Sequence, residues 1–415
     1  MKRYFDPLTR GIVGNSRRFT VTILTMVFKS PPKPDTPLGW HRILSPHAAV
    51  KVSPIALGGI SLGSSWSELF GQNEDPFALL DAFLSIGGNF IDTANTYNSG
   101  ESEKLIGEWM ESRGVRDQMV IATKYSSGYK NHDRNIHFHS NYAGNSAKSL
   151  HNSIRDSLNN LRSDYIDLLY VHWWDSATSV EEMMIHLHAY VMSHNVLYLG
   201  ASDMPAWVVV KANAFARSHG LTPFSVYQGR WNAAYRDMEA ELIPMCEDQG
   251  MAIVSWASLG GGQLLSSEQR QQVTKNPGSR PAVYSQSEWD HAVCDAIEKV
   301  SKDRKCSFQA VALAYLYAQS TYVFPIVGVQ TVEQVKAMTD VLSIDKLSEE
   351  EVEQIQAAKP FHPQFPVDFL FTDGSGQQDY STKRTAADNK QYQMWAWIDA
   401  PERPAGYKPH VDAEK

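Results

Sequence analysis

Four residues in the first half of the 415-residue chain have the types that a proton-transfer site needs: Asp92, Tyr97, Lys124 and His172. An acid, a phenol, an amine and an imidazole can together hold, donate and steer a proton. Tyrosine is a weak acid with an ordinary pKa of ~10, and an ammonium beside it favours the phenolate and lowers that value. In this reading Lys124 supplies the charge, Asp92 holds Lys124 by an ion pair, and His172 orients a carbonyl oxygen beside the Tyr97 hydroxyl. The chemistry is general-acid reduction of a C=O. Each residue also has a plainer reading: a lone His or Lys at a strand end is often structural, and Asp92 before Thr93 could cap a helix. The case rests on all four falling at the same end of consecutive strands.

The elements that must position them follow from the hydrophobic pattern. Apolar runs at 90–94 and 119–124 flank a stretch, 101–113, with the period of a helix, which makes a β-α-β unit. Asp92 lies in the first run and Tyr97 just past it, Lys124 ends the second, and His172 stands at the C-terminal end of a third, 167–173. Further strand-like runs at 55–61, 196–202, 225–229, 251–256 and 322–328 bring the count to eight. Helical patterns alternate with them near 76–86, 101–113, 147–161, 179–192, 205–218, 237–249, 288–303 and 331–341. Eight alternating pairs over roughly 250 to 300 residues predict a closed (β/α)8 TIM barrel, with an open doubly wound sheet as the structural runner-up. Neighbouring strands lie ~4.8 Å apart, so the four residues would face one another across the barrel mouth. Two connections, 125–146 and 257–287, are far longer than usual, as lids over a site often are.

Composition narrows the function classes. A net charge of −8, with no lysine or arginine run, argues against a nucleic-acid partner. Cys246, Cys294 and Cys306 have no paired spacing and no Asn-x-Ser/Thr sequon is present, which favours a reducing, cytoplasmic compartment. Arg17 and Arg18 precede an apolar stretch, 19–28, that resembles a short signal core. It falls short of the ~20 residues a membrane span needs, and no A-x-A-like cleavage site follows. Residues 1–36 are therefore read as an extension or a misassigned start, with Met26 an alternative beginning. The barrel is expected over 37–366. A tail, 367–415, is expected to pack partly against it through Phe369, Phe371, Trp395 and Trp397. His132, His137 and His139 lack accompanying ligands with zinc spacing, so no metal is expected.

From about Pro37 to about Pro366 the chain resembles the aldo-keto reductases, and within them the fungal aryl-alcohol dehydrogenase and norsolorinic acid reductase-like group. The segments that carry the resemblance are GGNFIDTANTYNSGESEKLIGEWM, MVIATKY, DYIDLLYVHWWD, VLYLGASDMPAWVV and FSVYQGRWN. The resemblance implies that Asp92, Tyr97, Lys124 and His172 match the family's catalytic tetrad, with Tyr97 as proton donor and a nicotinamide as hydride source.

It also implies cofactor contacts. Ser202, Asp203 and Gln228 fall where the family holds the nicotinamide carboxamide, and Trp256 where an aromatic stacks on the ring. Asp203 stands where many relatives outside this group have Asn. Ala257, Ser258, Leu259, Gly261 and Gln263 form a glycine-rich turn that could wrap a pyrophosphate. Gly328, Gln330, Thr331 and Gln334 match the adenosine and 2′-phosphate segment. Here the sequence departs from the pattern, because relatives tend to have Arg and Lys where Gln330 and Thr331 stand, Asn at Met338, and a basic residue at Gln263. NADPH is the expected donor, with NADH the other candidate.

Trp66, Tyr125, Trp173 and His172, with Tyr129, Trp174 and Trp231, are the candidates for an aromatic substrate pocket. The expected activity is reversible reduction of aromatic or polyketide-derived aldehydes and ketones in fungal secondary metabolism. The expected partner is a small aromatic carbonyl compound, with no nucleic acid and no membrane; oligomeric state is left open. Two rival readings keep the barrel: a nicotinamide-binding regulatory subunit, as the resemblance to potassium-channel β-subunits allows, and a lyase or isomerase that turns over without net cofactor oxidation.

Overall fold

The computed structural model describes residues 32–275, 287–359, 361–362, 364–371, 386–396 and 398–399. Most of residues 1–36, the middle of the second long loop and Trp397 lie outside this set.

Two antiparallel strands come first: β1 (Arg42–Ser45) and β2 (Ala48–Val52). Eight parallel strands follow: β3 (Ala56–Gly58), β4 (Phe90–Asp92), β5 (Val120–Tyr125), β6 (Ile166–Val171), β7 (Val196–Ser202), β8 (Val226–Arg230), β9 (Ala252–Trp256) and β10 (Val323–Gly328). They pair in sequence order, and β10 closes on β3 to complete the barrel. Every residue of β5 and β6 is buried, as expected of parallel strands with helices outside and side chains within.

Several helices of the barrel begin at side-chain caps, where the first N–H groups lack partners within the helix. Helix α1 (Pro76–Ser85) starts with Asp75 accepting from the Phe77 N–H and Pro76 in its first turn. Helix α2 (Glu101–Arg113) ends at Gly114 in the left-handed conformation. Helices α3 (Ala147–Leu161) and α4 (Val180–Met192) are capped by Ser146 and Ser179. Then follow α5 (Ala206–Ser218) and α6 (Leu242–Gln249). Between β9 and β10 the single expected helix is accompanied by others. Helix α7 (Glu288–Arg304), with a Ser287/Asp290 capping box, is followed by α8 (Phe308–Gln319).

Two cores result. One fills the space between strands and helices. The other fills the barrel and includes Phe90, Val120, Ala122, Leu168, Tyr170, Val226, Val254 and Phe324, together with Leu44, Ala48 and Val52 from the hairpin. The hairpin thus contributes to the barrel's inner packing. Because side chains alternate along a strand, Phe90 inside places Asp92 inside. Val120 and Ala122 do the same for Lys124, and Val226 does it for Gln228. Leu168 and Tyr170 aim His172 along the same line, one residue past β6. These residues form the uppermost layer of the barrel, at the C-terminal ends of its strands.

Of the tail's aromatic residues, Phe369 is 60% and Trp395 77% exposed, so these two add nothing to either core.

Candidate active site

Lys124 is fully buried, and its Nζ lies 2.5 Å from Asp92 Oδ1, 2.7 Å from the Thr93 carbonyl oxygen and 3.1 Å from the Tyr97 hydroxyl. The three hydrogens of an ammonium therefore each have an acceptor. The second carboxylate oxygen of Asp92 accepts from Gln228 Nε2 at 2.7 Å. Sequence reasoning assigned Gln228 to a cofactor; the structure also makes it the residue that holds Asp92 from across the barrel.

Tyr97 is carried past β4 on a 3-10 turn, Tyr97–Gly100, in which Asn98, Ser99 and Gly100 have φ of 49°, 58° and 89°. Asparagine tolerates the left-handed region better than most residues, and its side chain secures the turn. Asn98 Nδ2 donates to the carbonyls of Ile60 and Leu62 at 2.7 and 3.1 Å, and its Oδ1 accepts from the Trp66 N–H at 2.8 Å. The loop after β3 is thereby tied to the residue that bears the phenol. Trp66, on that loop, meets Tyr97 edge to face at 6.2 Å between ring centroids.

The His172 ring meets the Tyr97 ring edge to face at 6.0 Å and lies 4.7 Å from the Trp173 ring. Its Nδ1 is 3.1 Å from Ser127 Oγ. Burial, reinforced by the Lys124 charge, holds the His172 imidazole well below its ordinary pKa, so the ring is neutral. Tyr97 corrects the expectation from sequence: burial raises its pKa, and the Lys124 ammonium offsets that only in part. The phenol stays protonated, the state a proton donor requires. Burial opposes the charge on Lys124, but the Asp92 carboxylate and Tyr97 outweigh it and leave the amine above its ordinary value. Burial pushes the Asp92 carboxyl up while Lys124 pulls it down. The 2.5 Å contact, with Gln228 donating to the other oxygen, is the geometry of an ion pair.

A cavity of about 470 Å3 opens above this layer. Tyr97, His172, Asp92, Asp203 and Gln228 line it from the ends of β4, β6, β7 and β8; Trp256, Ala257, Ser258, Leu259 and Gly261 from β9 and the turn after it; Gly328, Gln330 and Gln334 from β10 and the residues that follow. Of the expected cofactor residues, Ser202, Gln263 and Thr331 do not line it. Ser202 is buried at the end of β7, and among the described residues its hydroxyl has no partner. The Gln263 side chain instead accepts from Arg230 at 3.0 Å. Thr331 caps the short helix Val332–Lys336 by accepting from the Gln334 N–H. Trp256 Nε1 donates to Asp203 Oδ1 at 3.0 Å. Asp203 is hemmed in by protein atoms yet exposed to the cavity, and this partial burial pushes its pKa up to about 6.

These features fit a dinucleotide laid along the groove. Asp203 and Gln228 line the groove where an amide can meet them, and Trp256 offers a ring face. Gly260, Gly261 and Gly262, with φ of 81°, 57° and 99°, turn the backbone beside the cavity. A Cβ on Gly328 would meet nothing within 4 Å, so that strand end faces open space.

The expected substrate residues divide. Trp66 and Trp173 lie against Tyr97 and His172, although neither is among the residues that line the cavity. Tyr125 does not: it is fully buried in the core between strands and helices, because Lys124 points inward and the next residue must point out. Trp231 is also core, donating to Glu239 at 3.0 Å. Tyr129 is buried and donates to Asp156 at 2.9 Å. Trp174 packs on Trp207. Among the described residues no group of three or more His, Cys, Asp or Glu is placed to hold a metal, and no helix is long and apolar enough to cross a membrane.

The model of the aldo/keto reductase family matches residues 54–360, which include all eight barrel strands. The chain belongs to the aldo/keto reductase family. It is similar to norsolorinic acid reductase A of Aspergillus parasiticus, 45% identical over 365 residues that cover 88% of this chain and 92% of the relative. A norsolorinic acid reductase of Emericella nidulans is 46% identical over 386 residues, 92% of this chain and 97% of its own length. The NADP(+) aryl-alcohol dehydrogenase of Phanerodontia chrysosporium is 45% identical over 379 residues, 88% and 96% of the two chains. The protein is therefore an oxidoreductase, an aldo-keto reductase of a family that typically uses NAD(P)H.

Proposed function

We propose that the enzyme reduces aromatic or polyketide-derived aldehydes and ketones, reversibly, with Tyr97 as the proton donor. The observation that carries the reading is the contact of one buried ammonium, Lys124, with both Asp92 and the Tyr97 hydroxyl at the reacting end of the cavity. A bound reduced nicotinamide, NADPH or NADH, supplies the hydride; the Phanerodontia relative is an NADP(+) enzyme by name.

As hydride adds to the carbonyl carbon, the oxygen gains charge and takes the proton of the Tyr97 hydroxyl, giving an alcohol. The phenolate left on Tyr97 is stabilised by the Lys124 ammonium 3.1 Å away, and Asp92 and Thr93 keep that ammonium in place. His172, neutral and within the same cavity, orients the carbonyl oxygen. Trp66 and Trp173 support an aromatic substrate, since each presents a ring beside a reacting residue. Names of relatives point the same way.

The test is a panel of aryl aldehydes, aryl ketones and short aliphatic aldehydes with NADPH and with NADH, following both dinucleotide oxidation and alcohol formation. Equimolar alcohol and oxidised dinucleotide, with kcat/KM at least about tenfold higher for aryl carbonyls, is expected. Dinucleotide binding without turnover would favour the regulatory reading. Product without dinucleotide oxidation would favour a lyase or isomerase.

A further inference from the structure

We infer that the part of the groove where β10 ends is built against a 2′-phosphate, with Glu74 as the discriminating residue, so that the enzyme accepts NADH at least as well as NADPH. The inference rests on the dinucleotide reading above, which places the reacting ring at Tyr97 and leaves the adenosine for that part of the same groove.

Among the described residues, no lysine or arginine lines the cavity. Where β10 ends, the groove presents two uncharged side chains, Gln330 and Gln334, each with one end of its amide already bonded to the protein. Gln330 Nε2 donates to the Phe70 carbonyl at 2.6 Å, and Gln334 Oε1 accepts from the Gln330 N–H at 2.7 Å. The backbone donors that follow are engaged as well. The Gln334 N–H is bound to the Thr331 hydroxyl at 3.2 Å, and the Val332 N–H to Glu74 Oε2 at 3.0 Å. Glu74 is fixed there by its own N–H, which donates to the Gln330 carbonyl at 2.9 Å.

A phosphate dianion needs cations or unpaired N–H groups. Beside Gln330, just outside the cavity lining, it would meet the Glu74 carboxylate already seated on the Val332 N–H. A 2′-hydroxyl has different needs, because it can donate to a carboxylate or an amide oxygen, and an acidic side chain is a common partner for the ribose of NAD. The same contacts that repel the phosphate therefore suit the hydroxyl. Glu74 is exposed, so its repulsion is screened by salt.

Titration of the full-length protein with NADH and with NADPH, by tryptophan quenching and by calorimetry at low salt, tests this without turnover. The expected result is a Kd for NADH equal to or below that for NADPH. Glu74→Gln, which keeps an acceptor for Val332 but removes the charge, is expected to lower the NADPH Kd about fivefold. NADH should stay within about twofold, and the gain should shrink as salt rises. A wild-type protein that binds NADPH about tenfold tighter than NADH would overturn the inference alone. So would a Glu74→Gln variant that moves both dinucleotides equally. Binding of neither would overturn it together with the reading it rests on.

Discussion

The Ser127 hydroxyl lies 3.1 Å from His172 Nδ1, and among the described residues this is the one hydrogen bond that either side chain makes. A buried hydroxyl with a single partner is better satisfied by donating to it, since otherwise its own proton has nowhere to go. That assigns Nδ1 as the acceptor and puts the imidazole proton on Nε2, where it can meet a carbonyl oxygen in the cavity. Ser127→Ala releases this choice of tautomer. It should lower kcat for carbonyl reduction about tenfold, the worth of one such hydrogen bond, with dinucleotide affinity unchanged. Ser127→Thr should restore the rate, and 15N chemical shifts of His172 should report mixed tautomers only in the alanine variant.

The Lys124–Asp92 pair predicts a separation of stability from activity. Lys124→Met leaves a buried carboxylate unpaired, which costs about 3–5 kcal/mol. Combining it with Asp92→Asn removes the stranded charge and should recover more than half of that loss in urea unfolding. Activity should stay abolished in both, because neither protein has a cation beside Tyr97.

The pKa directions set the pH profile of reduction. Burial outweighs Lys124 and keeps the Tyr97 phenol protonated beyond pH 10, while burial and Lys124 hold His172 neutral to well below pH 6.5. With saturating cofactor and substrate, kcat should be flat between about pH 7 and pH 9. Stability follows the same logic. The folded pKa of His172 is depressed, so its contribution is complete above the unfolded value near 6.5 and is lost as pH falls through the folded one. His172→Gln should make the acid limb of a stability–pH curve shallower.

Asp203 has the opposite sign. Burial raises its pKa to about 6, so the folded state favours the protonated form, and that contribution is lost as pH rises through about 6. Its ionised form accepts from Trp256 Nε1. The tryptophan emission of the dinucleotide-free protein should shift near pH 6, and Asp203→Asn should abolish that shift without removing the fold.

The sequence made the barrel legible because its strands are compact apolar runs between helical periods, and all eight stand where the pattern puts them to within a few residues. The gathering of Asp92, Tyr97, Lys124 and His172 was legible for the same reason, since each stands in or just past the end of a run. What was missed had weaker signals. The β1–β2 hairpin alternates only briefly around Pro46, and its apolar side chains matter through contacts with strands far along the chain. Helix α8 shows no amphipathic period because ten of its twelve residues are buried. Tyr125 was misassigned although strand parity could have excluded it: with Lys124 inward, Tyr125 must point out. Asn98, Ser127 and the Gln228–Asp92 bond join residues distant in sequence, so no local spacing announces them. The raised pKa of Tyr97 depends on the balance between burial and one charge, and burial is a property of the fold.

The central claim is that Tyr97 protonates the carbonyl oxygen, and single-turnover reduction of an aryl aldehyde by the enzyme–dinucleotide complex tests it most directly. Tyr97→Phe is expected to slow that step by at least about a thousandfold. The dinucleotide dissociation constant should stay within about twofold, because the ring remains and only the hydroxyl is lost. A Tyr97→Phe enzyme that reduces the aldehyde at close to the wild-type single-turnover rate would contradict the account.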